Sequence, residues 1–197
     1  MMGGGRDLDR ADLMGLLEEL GAILHAQDVE AIIYVVGGAA MALEYESRRV
    51  TRDVDAAVRR DRDDVQRAVE VIAERHSLDP QWFNTTATAF MTNEPDDEAT
   101  EINLPGLRVV VASPEHLIAM KLRAMRARDV ADLDFLFRLL GLTDPQQAVD
   151  IHNKLFDESY IGNSDPQEIL FAARDVFRRA EAMGFPIERG PRPTNKG

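Results

Sequence analysis

Two aspartates, Asp53 and Asp55, stand one residue apart in the stretch Arg52-Asp53-Val54-Asp55-Ala56-Ala57-Val58, and a glycine pair, Gly37-Gly38, precedes them. If 52–58 is a strand, its side chains alternate and both carboxylates point to one face. Two acids that close repel each other unless a cation sits between them. Hard oxygen ligands on a rigid element suit Mg²⁺, which keeps waters and substrate phosphates in its remaining positions. Gly37 and Gly38 carry no side chains, so backbone N–H groups there can approach a phosphate, aided by a helix starting at that point. A phosphate cradle and a metal-binding acid pair could meet at one site. Either half alone is common, as a plain turn or as a charged edge strand. Their order, with one short helix between them, is the specific feature.

The elements that would position these residues can be read from hydrophobic period and turn signals. Residues 9–27 carry Leu13, Leu16, Leu17, Leu20 and Leu24 at helical spacing, which predicts an amphipathic helix. Residues 31–36 form a β-branched and aromatic run that ends in Gly37-Gly38, the pattern of a buried strand and a tight turn. A short helix over 39–45, a second strand over 52–58 and a helix over 61–76 follow. Residues 82–91 read as an irregular strand, because threonines favour it over a short helix. Strands over 100–104 and 107–111 flank Pro105-Gly106, a turn signal. Ser113-Pro114-Glu115 opens a helix with a serine cap and proline at the first position. It is expected to reach at least Arg126, with a further helix over 129–140. Thr143-Asp144-Pro145-Gln146 and Ser164-Asp165-Pro166-Gln167 each open another helix with capping-box chemistry. Residues 189–197 read as a loose tail. The outline is an α+β fold: a small mixed sheet flanked by helices, then a helical C-terminal lobe. The expected division is 1–112 for the core, 113–188 for the lobe and 189–197 for the tail.

Composition narrows the function classes. The chain has 197 residues, 45% hydrophobic and 29% charged, enough for a packed core under a soluble surface. It has no cysteine, which removes disulfides, cysteine–zinc sites and thiol nucleophiles. Its apolar runs are far shorter than the roughly 20 residues that span a bilayer, and its first residues lack an apolar segment of signal type. The expectation is a cytoplasmic protein without a membrane partner. With 23 basic and 35 acidic residues the net charge is −12, which argues against a general nucleic-acid coat. The charge is uneven, however. Six arginines lie between Arg48 and Arg62, Arg49 among them, and five acids lie between Glu94 and Glu101. The arginines read either as a rim for an anion or as plain solvated surface. His25, His76, His116 and His152 share no metal-ligand spacing and read as surface or cap residues. Phe135 and Phe137 read as packing.

Gly-Gly followed by Asp-x-Asp on the next strand resembles the signature of the nucleotidyltransferase (polymerase β-like) superfamily. The longer segment Arg49-Val50-Thr51-Arg52-Asp53-Val54-Asp55 is similar to the AbiEii/MenT-type toxin nucleotidyltransferases and their bacterial relatives. Trp82-Phe83-Asn84 resembles a Trp-Leu-Asn segment of those relatives, although Thr85 stands where many of them carry aspartate. Residues 107–122 and 128–133 look like their lysine helix and following acidic helix. The resemblance covers roughly residues 30 to 140.

What the resemblance implies can be placed residue by residue. Gly37 and Gly38 match the phosphate-approaching turn, and Asp53 and Asp55 match the metal-binding acids. Thr51 matches a hydroxyl residue that a cognate antitoxin can modify in toxin relatives. Lys121 matches a lysine expected on the triphosphate, and Asp132 (or Asp129) a late acidic residue important in the toxins. Glu101 is the best candidate for a third metal acid. The implied activity is Mg²⁺-dependent transfer of a nucleoside monophosphate from an NTP, such as ATP, to an acceptor. The implied acceptor is tRNA and the implied setting a toxin–antitoxin pair. The alternative is a non-catalytic nucleotide- or protein-binding module on the same fold. Lys121 also has a bland reading, a snorkelling lysine at a helix edge. On an unbroken helix Lys121, Arg128 and Asp132 would share one stripe. A bend before Asp129 would change that.

Overall fold

The computed structural model describes residues 6–45, 50–124, 126–156 and 165–182, so Arg49 lies outside the described residues, as does the expected tail. Helix α1 (Arg10–His25) opens on a reciprocal cap: Asp9 accepts from the Asp12 amide, and Asp12 accepts in return from the Asp9 amide. Its buried face is the expected leucine series. Strand β1 (Ala31–Val36) runs into α2 (Gly37–Ala40), which continues as a π-helical turn over Met41–Tyr45. Strand β2 (Val54–Arg60), helix α3 (Arg62–His76) and the two-residue strand β3 (Phe83–Asn84) follow, then a 3₁₀ turn at Thr86–Phe90. Strands β4 (Thr100–Leu104) and β5 (Leu107–Val111) form the hairpin around Pro105-Gly106, where Gly106 takes φ +74°.

The sheet order is β3-β2-β1-β5-β4, with β1 parallel to β5, β2 parallel to β3, and the β1–β2 and β4–β5 pairs antiparallel. Ile33, Val35, Val54, Ala56, Leu107, Val109 and Val111 are buried, and α1 packs on α3 and on β5, with α3 also touching β2. Burying that alternating set against the leucines of α1 and against Val65, Val69 and Ile72 of α3 makes the core, at roughly 1.5–3 kcal/mol per large aliphatic side chain. The opposite face carries Tyr34, Val36, Asp55 and Ala57, paired in register as Tyr34 with Ala57 and Val36 with Asp55. Trp82 is buried and donates from its indole N–H to the Val69 carbonyl at 3.2 Å, while its own carbonyl accepts from Val54 at 2.6 Å. That anchor explains why a strand as short as β3 holds its place at the edge. Residues 82–91 are thus a short strand followed by a 3₁₀ turn, a mixture of the two readings of the segment.

The chain forms two compact units, one from Met1–Ala89 with Asp96–Ser113 and one from Phe90–Pro95 with Pro114–Gly197. The described part of the second unit is helical: α4 (Pro114–Ala124), α5 (Val130–Leu139), α6 (Pro145–Leu155) and α7 (Pro166–Ala182), with a 3₁₀ turn at Ala127–Asp129. The expected run of α4 to Arg126 is shortened, and the helix is broken before α5. Asp144 caps α6 in a capping box closed by Gln147, and Asp165 accepts from the Gln167 amide at 2.8 Å at the start of α7. Phe137 is fully buried, with its ring 5.3 Å from that of Phe177, so it packs as expected. The result is a mixed sheet with helices on one face and a helical C-terminal part, the fold class expected from the sequence. Among the described residues no helix is long and apolar enough to cross a membrane.

Candidate functional site

Gly37 is the first residue after β1, and its φ of +65° is a left-handed conformation that side chains disfavour. A methyl group at Gly37 would lie 3.0 Å from Asp55 Oδ2, and one at Gly38 would lie 2.8 Å from Thr51 Oγ1. The glycine pair therefore sits directly against the acidic segment, so close that a methyl group at Gly38 would force a neighbouring side chain to shift. Thr51 Oγ1 donates to the Asp53 carbonyl at 3.2 Å and to Asp53 Oδ1 at 3.4 Å. Asn84 donates its side-chain amide to Asp53 Oδ2 at 3.1 Å. Asn84 is also the register partner of Asp55 across β2 and β3, so the contacts of the two aspartates converge on this strand end.

The geometry corrects one detail of the expected strand. β2 starts at Val54, so Asp55 lies on it while Asp53 belongs to the approach segment. What holds Asp53 is therefore side-chain bonding to Thr51 and Asn84, not strand alternation. Asn84 had no assigned role in the sequence reading. Its place just after the anchoring Trp82, at the end of the edge strand Phe83–Asn84, is the signal that could have found it.

A second constellation on the sheet was not foreseen. Tyr34 donates its phenol proton to Asp96 Oδ2 at 2.5 Å, and the Ser113 amide donates to the same oxygen at 2.9 Å. Burial, with the Asp96 carboxylate as hydrogen-bond acceptor and neighbour, pushes the Tyr34 phenol well above its ordinary value; the Arg59 guanidinium, 5.5 Å from its ring centroid, opposes that. Burial, then the Glu44 and Asp96 carboxylates, pushes Tyr45 up as well. Asp96 thus ties the start of the 96–113 segment to the ends of β1 and β5.

Glu101 is not brought to the aspartate pair. It lies on β4, exposed and 3.3 Å from Arg108. β1 and β5 separate β4 from β2, and three strand steps of about 4.8 Å put Glu101 about 14 Å across the sheet from Asp55. The expectation of Glu101 as a third metal acid is corrected on that ground. Among the described residues no group of three or more His, Cys, Asp or Glu is arranged to hold a metal. Asp53, Asp55 and the Thr51 hydroxyl nonetheless form a hard-oxygen donor set, which suits Mg²⁺ when water and substrate oxygens fill its other positions. Of the arginine-rich stretch, Arg52 bonds Asp7 at 3.1 Å and Arg60 lies 3.8 Å from Asp61.

Lys121 belongs to the helical unit and is almost fully buried. Its ammonium donates to Asp129 Oδ1 at 2.9 Å and to Asp132 Oδ2 at 2.7 Å, with side-chain exposures of 7%, 12% and 2% for the three residues. Two of its three N–H groups are committed to carboxylates. The break between α4 and α5 makes this possible. The 3₁₀ turn lets Asp129 face back to Lys121 instead of capping α5, where its side chain makes no cap bond. The snorkelling reading is overturned, since the ammonium points inward to two anions. His116 and His152 are also buried, contrary to their reading as surface residues.

Among curated proteins none is significantly similar to this chain. A crystal structure of an antigenic nucleotidyltransferase-like protein from Paracoccidioides brasiliensis is similar at a TM-score of 0.44 and 12% identity, over 95% of this chain and 97% of that one. The sequence model of a family described as nucleotidyltransferase of unknown function (DUF6036) matches residues 11–138, well over half of the chain. By that match, the chain with its glycine turn set against Asp55 and Thr51 belongs to this nucleotidyltransferase family.

Proposed function

We propose that the chain is a Mg²⁺-dependent enzyme that moves a nucleoside monophosphate from an NTP to an acceptor hydroxyl. The acceptor oxygen forms a bond to the α-phosphorus, and the bond from that phosphorus to pyrophosphate breaks. The observation that carries this reading is the close packing of the Gly37-Gly38 turn on the Asp55 carboxylate and the Thr51 hydroxyl, where an added methyl group would lie 3.0 Å and 2.8 Å from those oxygens. Backbone amides of the turn would meet the phosphates there. Asp53 and Asp55 would hold the metal, which when bound neutralises charge developing on the phosphoryl oxygens. Asn84 and Thr51 keep the Asp53 carboxylate in one orientation. Lys121 and Asp132 keep a triphosphate role only as what the resemblance implies; within the helical unit the carboxylates of Asp129 and Asp132 fix the Lys121 ammonium.

The acceptor we favour is the 3′ end of tRNA, in the setting of a toxin restrained by a cognate antitoxin, following the resemblance of the 49–55 segment. The net charge of −12 requires that RNA be engaged locally and not by a general field. The test is transfer of label from each α-labelled NTP into total tRNA with Mg²⁺, wild type against Asp53→Ala. Label that enters tRNA and disappears with Asp53 supports the reading; label entering only a protein or small-molecule pool rejects the tRNA acceptor.

A second reading is a nucleotide-binding module that does not catalyse. Two observations favour it: no third acid joins Asp53 and Asp55 among the described residues, and Lys121 already serves two carboxylates. Saturable NTP binding with no transfer into any pool would establish it.

A further inference from the structure

The two edges of the sheet differ. The β3 edge is two residues long and gives way after Thr85 to a 3₁₀ turn. The β4 edge runs for five residues in regular register with β5. Proteins keep such edges from pairing with lysines, prolines or bulges. The β4 sequence, Thr-Glu-Ile-Asn-Leu, has no lysine or proline, and among the described residues its pairing shows no bulge. Its one charge, Glu101, is met by Arg108 at 3.3 Å.

Which backbone groups of β4 face outward follows from bonds further in. The Gly106 carbonyl accepts from the Ala31 amide, and the Ala112 amide donates to the Val35 carbonyl, each at 3.0 Å. The even-numbered residues of this strand therefore bond β1. The odd-numbered ones, Leu107, Val109 and Val111, bond β4 through their register partners Leu104, Ile102 and Thr100. The N–H and C=O groups of Glu101 and Asn103 are left pointing away from the sheet. Among the described residues no backbone group meets them. The side chains alternate too: those of Glu101 and Asn103 are exposed on one face, and Ile102 is half-buried on the other, beside Val109.

We propose that β4 pairs antiparallel with β4 of a second copy, about a two-fold axis at Ile102, so that the two sheets continue as one. The strand is self-complementary in this register. Glu101 stands opposite Asn103 of the second copy, and each such pair exchanges both backbone hydrogen bonds. Across the exposed face the row reads Arg108, Asn103, then Glu101 of the second copy, opposite charges about a neutral amide. On the other face Ile102 meets Ile102. An axis at Glu101 would oppose two like charges. An axis at Asn103 would set Glu101 against Pro105, which has no N–H to give. A strand of an unrelated protein would find the same backbone groups, but the order of charge, amide and apolar residue matches β4 itself.

Sedimentation velocity of the full chain over a wide concentration range should show a monomer–dimer equilibrium. Asn103→Pro removes an outward N–H and no bond to β5, a change that edge strands accept. It should raise the dimer dissociation constant at least about tenfold, since each of the two symmetric contacts loses a backbone bond. Asn103→Glu sets like charges opposite each other and should weaken the dimer several-fold. The chain has no cysteine of its own, so single cysteines report the register. Directly opposed residues of this kind lie about 4.5 Å apart at Cα, within disulfide reach, and Ile102→Cys should cross-link under mild oxidation. Glu101→Cys sets its two copies about 8 Å apart and should not. A chain that stays monomeric at every concentration overturns the proposal. So does a dimer that Asn103→Pro leaves intact, or cross-linking of Glu101→Cys as readily as Ile102→Cys. If Asn103→Pro fails to fold, the two cysteine variants decide the matter. A monomer whose β4 edge captures a different protein also counts against a second copy as the occupant.

Discussion

Asn84 donates its side-chain amide to Asp53 at 3.1 Å while its backbone lies in register with Asp55. One residue on the edge strand β3 therefore controls the aspartate that β2 does not itself hold. Asn84→Leu removes the donor and frees the Asp53 carboxylate to rotate. The expected outcome is transfer reduced by about one order of magnitude, with the Mg²⁺ concentration for half-maximal activity raised several-fold, in line with losses of outer-shell partners at metal sites of about 10–100-fold. Thermal unfolding should move little, because the amide is only partly buried. A Mg²⁺ titration identical to wild type would remove Asn84 from the site.

The glycine turn makes a steric prediction. Gly38→Ala places a methyl group 2.8 Å from Thr51 Oγ1, closer than carbon and oxygen tolerate. The clash should cost about 1–3 kcal/mol, the range for overpacking. Thr51→Ala removes that oxygen and leaves Thr51 Cβ, 3.3 Å away, as the nearest atom. The double variant Gly38→Ala/Thr51→Ala should then be more stable than the sum of the singles allows, by about 0.5 kcal/mol or more. Chemical denaturation of all four proteins gives the coupling, and strict additivity would place Thr51 away from the turn.

The buried ion cluster of the helical unit is more costly to break than to replace. Lys121→Met removes the ammonium that Asp129 and Asp132 share, a loss of about 3–5 kcal/mol by analogy with broken buried pairs. Adding Asp132→Leu removes one of the two buried acids and should recover part of that stability. Urea unfolding followed by far-UV circular dichroism reads both. If Lys121→Met unfolds within about 1 kcal/mol of wild type, the cluster does not hold α4 to α5 and Lys121 is available for another role.

How far these relations were legible in the sequence depends on how local they are. The leucines at 13, 16, 17, 20 and 24 repeat within one helix, and the Val/Ile run of β1 ends on two glycines, so period and turn signals announce both elements. The fold class followed from such runs taken together. The start of β2 was missed by two residues because Arg52 and Asp53 carry no signal that separates a strand from its approach. Glu101 was drawn toward the aspartates by residue type alone. Its distance from them is set by the strand order, a long-range property that no local window contains. Asp96 was visible only as one of a run of acids. Its bond to Tyr34 spans 62 residues. The Lys121 cluster depended on a helix break before Asp129, which helix period by itself does not reveal.

The last prediction concerns His152, which is 2% exposed and bonds Asn153 Oδ1 at 3.1 Å through Nδ1. Its ring lies 5.2 Å from that of Phe156, and the Arg123 guanidinium lies 4.6 Å from the same Phe156 ring. Burial lowers its pKa from the ordinary 6.5, the Asn153 bond opposes this, and the Arg123 charge adds to the lowering. The folded protein therefore keeps this imidazole neutral at a pH where the unfolded chain already binds a proton. Between the unfolded value of 6.5 and the lower folded one, the unfolded state holds more protons, so stability rises with pH. It is fully present above pH 6.5 and is lost as pH falls through the folded pKa. His152→Phe should remove this portion of the pH dependence while leaving the ring packing against Phe156 largely intact. Urea midpoints measured for wild type and variant from neutral pH downward should run together above pH 6.5 and separate below it, wild type losing the more stability. Parallel curves would mean that His152 takes up its proton in the folded state without penalty.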